Sequence, residues 1–268
     1  MKKPLRVGLV VEGNATRSAM VRLPKLPEFL GPVKATAPRV ARRLSNFLRA
    51  GGVAHEYKEL SAATLILLRV PDERLESIVG ELANSELVFK NLSIVLCESW
   101  LTAEALAPLA RRGASVASVQ LLQGRRNWFV AEGQLGAIRA VRALLDYNDC
   151  RLIEIREGSK AKCFAAGVLA GALPMPLYLA AQQALRDAGL AGNNLAAVLE
   201  EMAMTLFREF AKGARDTWGG PLSEASEMAR HQHMDWLKKN DPPLAATLNA
   251  YLELAHEAFE RQKGGRRG

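Results

Sequence analysis

The residues best placed to do chemistry come early in this chain. There the apolar run Leu5–Val11 passes into Val11-Glu12-Gly13-Asn14-Ala15-Thr16. A dinucleotide-binding turn carries G-x-G-x-x-G at this point. Its first glycine permits the tight turn, its second lets backbone approach a pyrophosphate, and its third lets the next helix pack on the strand. Of the three glycine positions only Gly13 is a glycine here. Three readings follow: a cofactor site, a worn one, or an ordinary strand–turn–helix. Val11 and Thr16 are expected to crowd a phosphate, because each adds a side chain where the fingerprint has none. Pro24 and Pro27 should end a helix from Ala15 by about Leu23, since proline does not fit a helix interior.

Charge gives a second signal. The 268 residues carry a net charge of +8, and much of it is local. Between Asn14 and Ala50 lie Arg17, Arg22, Lys25, Lys34, Arg39, Arg42, Arg43 and Arg49 against the single Glu28, a net +7. Such a field suits phosphate on a nucleotide, coenzyme or nucleic acid, and it equally describes a solvated helix face. No nucleic-acid motif or aromatic interleaving accompanies it, so nucleic acid is not expected as a partner.

Other chemistries find little support. His231 and His233 are two residues apart and point to different faces of a helix, so they cannot share a metal as i, i+4 histidines do. No metal is expected. Cys97, Cys150 and Cys163 are scattered and form no C-x-x-C, which fits a reducing cytoplasm,. There is no G-x-S-x-G. Asp72, Glu73 and Glu76 read as acids of a helix first turn, and Trp128 and Phe129 read as core.

The elements that would position these residues fall into two regions. Strand signals at Leu5–Val11, 31–36, 64–70, 93–99, 117–123, 128–133 and 150–157 alternate with helical stretches at 38–50, 71–84, 102–113 and 135–147. This alternation predicts an α/β domain with a mostly parallel, doubly wound sheet. From about Ser159 only helical patterns appear, roughly 159–187, 193–216, 222–239 and 243–262. The predicted division is residues 1–157, a helical domain over 158–262, and a basic tail at 263–268, whose "KGGRRG" ending is expected to be disordered. Cys163–Leu185 is uncharged over 23 residues, long enough to span a bilayer,. Its Pro174, Pro176, glycines and glutamines argue for the buried centre of a helical domain or a dimer instead, and no membrane partner is expected.

Several fragments then line up in order and spacing: "LILLRVPDERLESIV", "LTAEALAPLARRGASVASVQLLQ", "WFVAEG", "AAGVLAG" and "GGPLSEASEMARHQHMDWL". Over about residues 5–255 the chain resembles a Rossmann-like family assigned as NADP-dependent oxidoreductases with a C-terminal helical domain of unknown function. That layout is similar to pyrroline-5-carboxylate reductase and 6-phosphogluconate dehydrogenase-type enzymes. The resemblance implies a dehydrogenase-type all-α second domain and a homodimer formed through it.

It also implies a cofactor site at Gly13, Asn14, Thr16 and Arg17, with Thr36 and Arg39 near the adenosine ribose and any 2′-phosphate, and Val70 and Pro71 beyond the next strand. The catalytic candidates are His233, matching the family's later H-x-x-x-L, and Asp72 of the retained Pro71-Asp72 pair. Departures run one way. Where the family has H-L-S-G, S-L-H-P-L, Y-H-A-A and T-G-P-x-x-R-G-D, this chain has Leu96-Cys97-Glu98-Ser99, Gln120-Leu121, Cys163-Phe164 and Gly220-Pro221 followed by Glu224 and Ser226. Most groups able to transfer a proton are gone. The expectation is therefore an oxidoreductase-like protein with weak or absent NADP binding and doubtful catalysis. The alternative is a non-catalytic dimeric scaffold that binds a small phosphate-bearing ligand or a partner.

Overall fold

The structure, a computed structural model, describes residues 5–122, 127–212 and 225–264. The chain divides into two compact units, 1–168 and 169–268.

The first unit is built on eight strands in the order β3-β2-β1-β4-β5-β6-β7-β8. They are β1 Val7–Val11, β2 Leu30–Ala35, β3 Gly52–Ala54, β4 Leu65–Arg69, β5 Ser93–Cys97, β6 Ser115–Leu121, β7 Trp128–Gly133 and β8 Arg151–Glu154. All neighbours pair in parallel except β6 and β7. β1 and β4 lie side by side in parallel, so the order in which strands are added reverses there, at the crevice where open α/β sheets hold their ligands,.

Side chains alternate between the two faces of the sheet. Val7, Leu9, Val11, Leu67, Val95 and Phe129 point to one face. It is covered by α1 (Pro38–Leu48) through Ala41 and Leu44 and by α4 (Leu135–Tyr147) through Ile138, Val141 and Leu145. Val10, Ile66, Leu68, Ile94 and Leu96 point to the other face, under α2 (Asp72–Ala83) and α3 (Ala107–Arg111). Burial on both faces explains the continuous apolar content of β4 and β5.

Three local expectations need correction. No α-helix follows β1. Ala15–Arg17 is a single 3-10 turn, the chain then runs irregularly, and a second such turn spans Leu26–Glu28. Pro24 and Pro27 prevent a longer helix, while Met20, Val21, Leu23 and Leu26 bury their side chains where a helix would have packed,. The stretch 102–113 begins as a 3-10 turn, Ala103–Leu106, before α3. The 159–187 helix is interrupted: α5 (Lys160–Gly167) gives way to a π turn at Val168–Ala172, and α6 (Pro174–Asp187) restarts at a proline.

The short β3 and the turn Tyr57–Ala62 carried no sequence pattern long enough to read. Gly51, expected as a helix stop, has a sharper role. It sits at φ 79°, and a Cβ there would lie 2.7 Å from the Gly31 carbonyl oxygen.

The second unit is helical throughout its described residues, with α7 at Gly192–Ala211 and further helices at Glu227–Asn240 and Pro242–Gly264. Ser226 caps the helix that follows it, its hydroxyl accepting from the Ala229 amide at 3.2 Å, as an N-cap serine should. The segment Lys160–Asp187 is long and apolar enough to cross a membrane by length and composition, and none of its apolar window is buried inside the chain. The expected burial of 163–185 is therefore not met within one copy of the chain. Lys263 and Gly264 end the last helix, and residues 265–268 of the basic tail lie outside the described residues.

Candidate functional site

At the C-terminal ends of β1 and β2 the chain encloses a cavity of about 530 Å³. Gly13, Asn14, Ala15 and Thr16 form one wall and Arg39, Val40 and Arg43 of α1 the other. Gly13 adopts φ 70°, a conformation that favours glycine,. A Cβ added there would meet only Pro71 Cγ, at 3.9 Å, so backbone conformation rather than clearance requires the glycine. The Thr16 hydroxyl donates to Asn14 Oδ1 at 2.6 Å and closes the turn on itself.

α1 starts at Pro38 behind Ala37, which offers no side-chain cap. Pro38 has no amide hydrogen and the Val40 amide donates to the Ala37 carbonyl at 2.9 Å, so it is side chains that α1 offers here, Arg39 and Arg43 standing one turn apart on the cavity side,. Both are exposed. Among the described residues Arg17, Arg22, Arg39, Arg42, Arg43 and Arg49 enter no ion pair, whereas Lys25 meets Asp149 at 3.6 Å and Lys34 lies over the Tyr57 ring. Guanidinium groups without carboxylate partners around a concave surface are suited to phosphate.

The structure brings Gly13, Asn14, Thr16 and Arg39 together, with Pro71 against Gly13. Arg17 is exposed at the end of its turn, Thr36 is exposed just after β2, and Val70 is fully buried in the core. Val11 corrects the crowding argument. It is the last residue of β1, and its side chain packs into the core with Leu67 and Val95 instead of entering the turn. Asp72 is the exposed first residue of α2, as a helix-terminal acid would be, and does not line the cavity,. His233 is exposed on the Glu227–Asn240 helix of the second unit and does not line it either. Glu224, Gly220 and Pro221 lie outside the described residues.

Three groups escaped the sequence reading. Arg43 belonged to the basic run, but only its spacing of four from Arg39 on a helix beginning at Pro38 places it in the site. Glu98 follows β5 with φ 55°. Its carboxylate accepts the amides of Ala19 and of Met20, the latter at 3.2 Å, and meets Arg69 Nε at 3.3 Å. It thus anchors the irregular segment that replaces the first helix. Lys160, the first residue of α5, is 0% exposed and donates to the Ser99 and Leu101 carbonyls and to Ser118 Oγ. Burial pushes its ammonium down to about 8, against the opposing pull of Glu132, Cys97 and Asp72,. The Cys97 thiol is pushed up by its own burial and then by Glu98.

No known protein family profile matches the chain, and no curated protein matches its sequence. Solved structures do. A Bacteroides fragilis protein provisionally named an NADP oxidoreductase superposes with a TM-score of 0.72 at 16% identity, over 96% of this chain and 98% of that one. The Streptomyces aurantiacus imine reductase gives 0.63 at 17% identity over 95% of each chain. A reductive aminase from Aspergillus terreus, solved with NADPH and ethyl-5-oxohexanoate, gives 0.63 at 12% identity over 95% of each. At these identities the likeness establishes the fold: the chain shares the two-domain, dehydrogenase-type architecture of NADP oxidoreductases and imine reductases, a Rossmann-like sheet followed by helices.

Proposed function

We propose that this is an oxidoreductase-like protein whose first unit takes NADP(H) weakly, and that it retains little or no dehydrogenase turnover. The observation that carries the reading is the cavity walled by the Gly13–Thr16 turn and by Arg39 and Arg43. Its residues fit a phosphate-bearing dinucleotide: an open turn at positive φ, two unpaired guanidinium groups, and hydroxyl and amide side chains. The support for NADP in particular is that a neighbour of the same fold was solved with NADPH.

Backbone contributes less here than in a G-x-G-x-x-G turn. The segment after Gly13 is a three-residue 3-10 turn, too short to present aligned helix amides to a diphosphate,. Side-chain charge must supply most of the attraction. Bound NADP(H) would bring hydride transfer; the chain's own residues would bind and orient it.

A non-catalytic role is favoured by one further observation. The polar groups beyond β5 and β6 are already engaged with the protein: Glu98 with two amides and Arg69, Lys160 with three oxygens, and Glu132 with the Ala103 amide at 3.0 Å. Lys160 and Glu132, whose Oε2 is unpaired, are both 0% exposed, and Glu98 is held by its three partners, so none of them presents an accessible group to a substrate,.

We also propose a homodimer formed through the second unit, in the cytoplasm that the scattered cysteines suit,. Leu169, Leu179, Leu206, Phe207, Phe210 and Trp236 are all exposed on it. An apolar surface of that extent marks an interface.

Calorimetry tests the cofactor reading. NADPH should bind at about 0.1–1 mM, equivalent to roughly 4–5.5 kcal/mol, and the affinity should fall as salt rises. Heat that does not saturate at several millimolar NADPH would overturn it. Clear NADPH-dependent reduction of small imines, or NADP+-dependent oxidation of hydroxy acids, would overturn the non-catalytic part.

A further inference from the structure

The environment of Lys160 is unusual for its chemistry. It is a fully buried lysine at the start of a helix, where the helix dipole repels positive charge,. Its three ammonium protons meet three acceptors: the Ser99 carbonyl, the Leu101 carbonyl at 3.0 Å, and Ser118 Oγ on β6. The Ser118 hydroxyl spends its own proton on the same Leu101 carbonyl, at 2.8 Å. The Leu101 amide in turn donates to Ser99 Oγ at 3.0 Å. Lys160 therefore grips the backbone on either side of Trp100, just beyond β5, on the ligand-bearing edge of the sheet. One turn along α5, Phe164 meets the Trp100 ring edge-on with centroids 5.3 Å apart. The lysine and the phenylalanine hold the same three-residue turn from one face of the helix.

Proton counting shows what this arrangement does. Charged, Lys160 and Ser118 together make four hydrogen bonds. A neutral amine has two N–H groups and a lone pair. Either the lone pair faces an oxygen with no proton between them, or the Ser118 hydroxyl rotates to donate to Nζ and abandons the Leu101 carbonyl. In both cases the four bonds become three, and the clamp that joins α5, the turn and β6 loses one hydrogen bond. We propose that Lys160 is a proton-controlled tie that clamps the Ser99–Leu101 turn, and with it the Trp100 indole, when charged and releases part of that grip when neutral.

The groups facing the ammonium come from every element packed around it. The Cys97 thiol lies on β5, the fully buried Glu132 carboxylate on β7, and Asp72 at the head of α2. Glu132 accepts from Ala103 through one oxygen, and its Oε2 has no hydrogen-bond partner. One buried carboxylate nearby is what allows the ammonium to persist inside the protein at neutral pH. Burial brings the group down to about 8, so the tie should loosen in mildly alkaline solution.

Trp100 reports on the turn directly. The chain has four tryptophans, Trp100, Trp128, Trp218 and Trp236, so the Trp100 signal is taken as the difference between the natural protein and Trp100→Phe. Between about pH 6.5 and 9.5, a range that flanks that midpoint, the difference emission should shift in one step centred near 8. Lys160→Arg keeps its charge throughout and should remove the step. Lys160→Met should be independent of pH and resemble the alkaline form of the natural protein. Circular dichroism checks that each variant is folded, and if Lys160→Met is not, the arginine variant decides. A natural protein with no step, or a step that persists unchanged in Lys160→Arg, would overturn the proposal.

Discussion

The two units of this chain satisfy their apolar residues in different ways. In the first, both faces of an eight-stranded sheet are sealed by its own helices, and side chains such as Leu67, Ile66 and Phe129 are 0% exposed. In the second, the buried apolar side chains among the described residues are Leu195 and Ala245, while Phe207 is 62% and Leu179 59% exposed. The sheet unit is a finished core. The helical unit carries the composition of a core without the burial, which is the surface the proposed homodimer would cover. The first unit thus closes its core with its own helices, whereas the second leaves most of its apolar side chains exposed among the described residues.

That contrast can be broken at its stronger side first. Phe129→Ala empties a fully buried site on β7 and should destabilise the protein by about 3–5 kcal/mol in denaturant unfolding. A loss below about 1 kcal/mol would mean that the sheet core is not closed. On the other side, Phe207→Glu places a charge on the exposed helical surface. It should weaken dimerisation roughly 100-fold, close to 3 kcal/mol, read by light scattering across a dilution series. Unchanged mass would remove this surface from the interface.

Smaller effects probe how the site edge is held. Glu98→Ala leaves the Ala19 and Met20 amides without their acceptor and should cost about 2 kcal/mol of stability. The protein should still fold, and 2D NMR would show the disturbance confined to residues near 18–26.

The sign of the Lys160 effect on stability follows from its two proton affinities. Its folded value of about 8 lies below the ordinary 10.5, so between those values the unfolded chain binds the extra proton. Stability from this group therefore rises with pH across that window, and the cost of charging it is fully present below about pH 8. The Cys97 thiol acts in the opposite sense above its ordinary 9.0. Between about pH 8 and 9 the free energy of unfolding should climb by up to roughly 1 kcal/mol in the natural protein and stay level in Lys160→Arg. A change of similar size is expected in ligand binding. Arg43→Ala should lower NADPH affinity about tenfold, roughly 1.4 kcal/mol, and flatten its salt dependence. Equal affinity in both proteins would place the phosphate elsewhere.

Much of this architecture was legible in the residues. Continuous apolar runs such as "TLILLRV" marked strands buried on two faces, and proline and glycine punctuated α1, because backbone preferences act locally. The switch from alternating strands and helices to helices alone near Gly158 was equally visible. The structural division comes at residue 168 because α5, through Lys160, is held by oxygens beyond β5 and on β6. The sequence reading begins a helix at about Ser159 and gives Lys160 no role, since nothing local records a carbonyl 61 residues away.

By itself the sequence determined the strand and helix succession and the positive field over residues 14–50, both of which are properties of residue type and spacing. The tertiary structure decided that Val11 belongs to the core and not to the turn, that Arg43 joins Arg39 at the cavity, and that Lys160 and Glu132 are buried together. Those outcomes depend on which strands become neighbours, and strand neighbours here are long-range: β1 pairs with β4 and the loop after β5 meets the head of α5. Proximity of that kind is a consequence of sheet order, which no local pattern encodes.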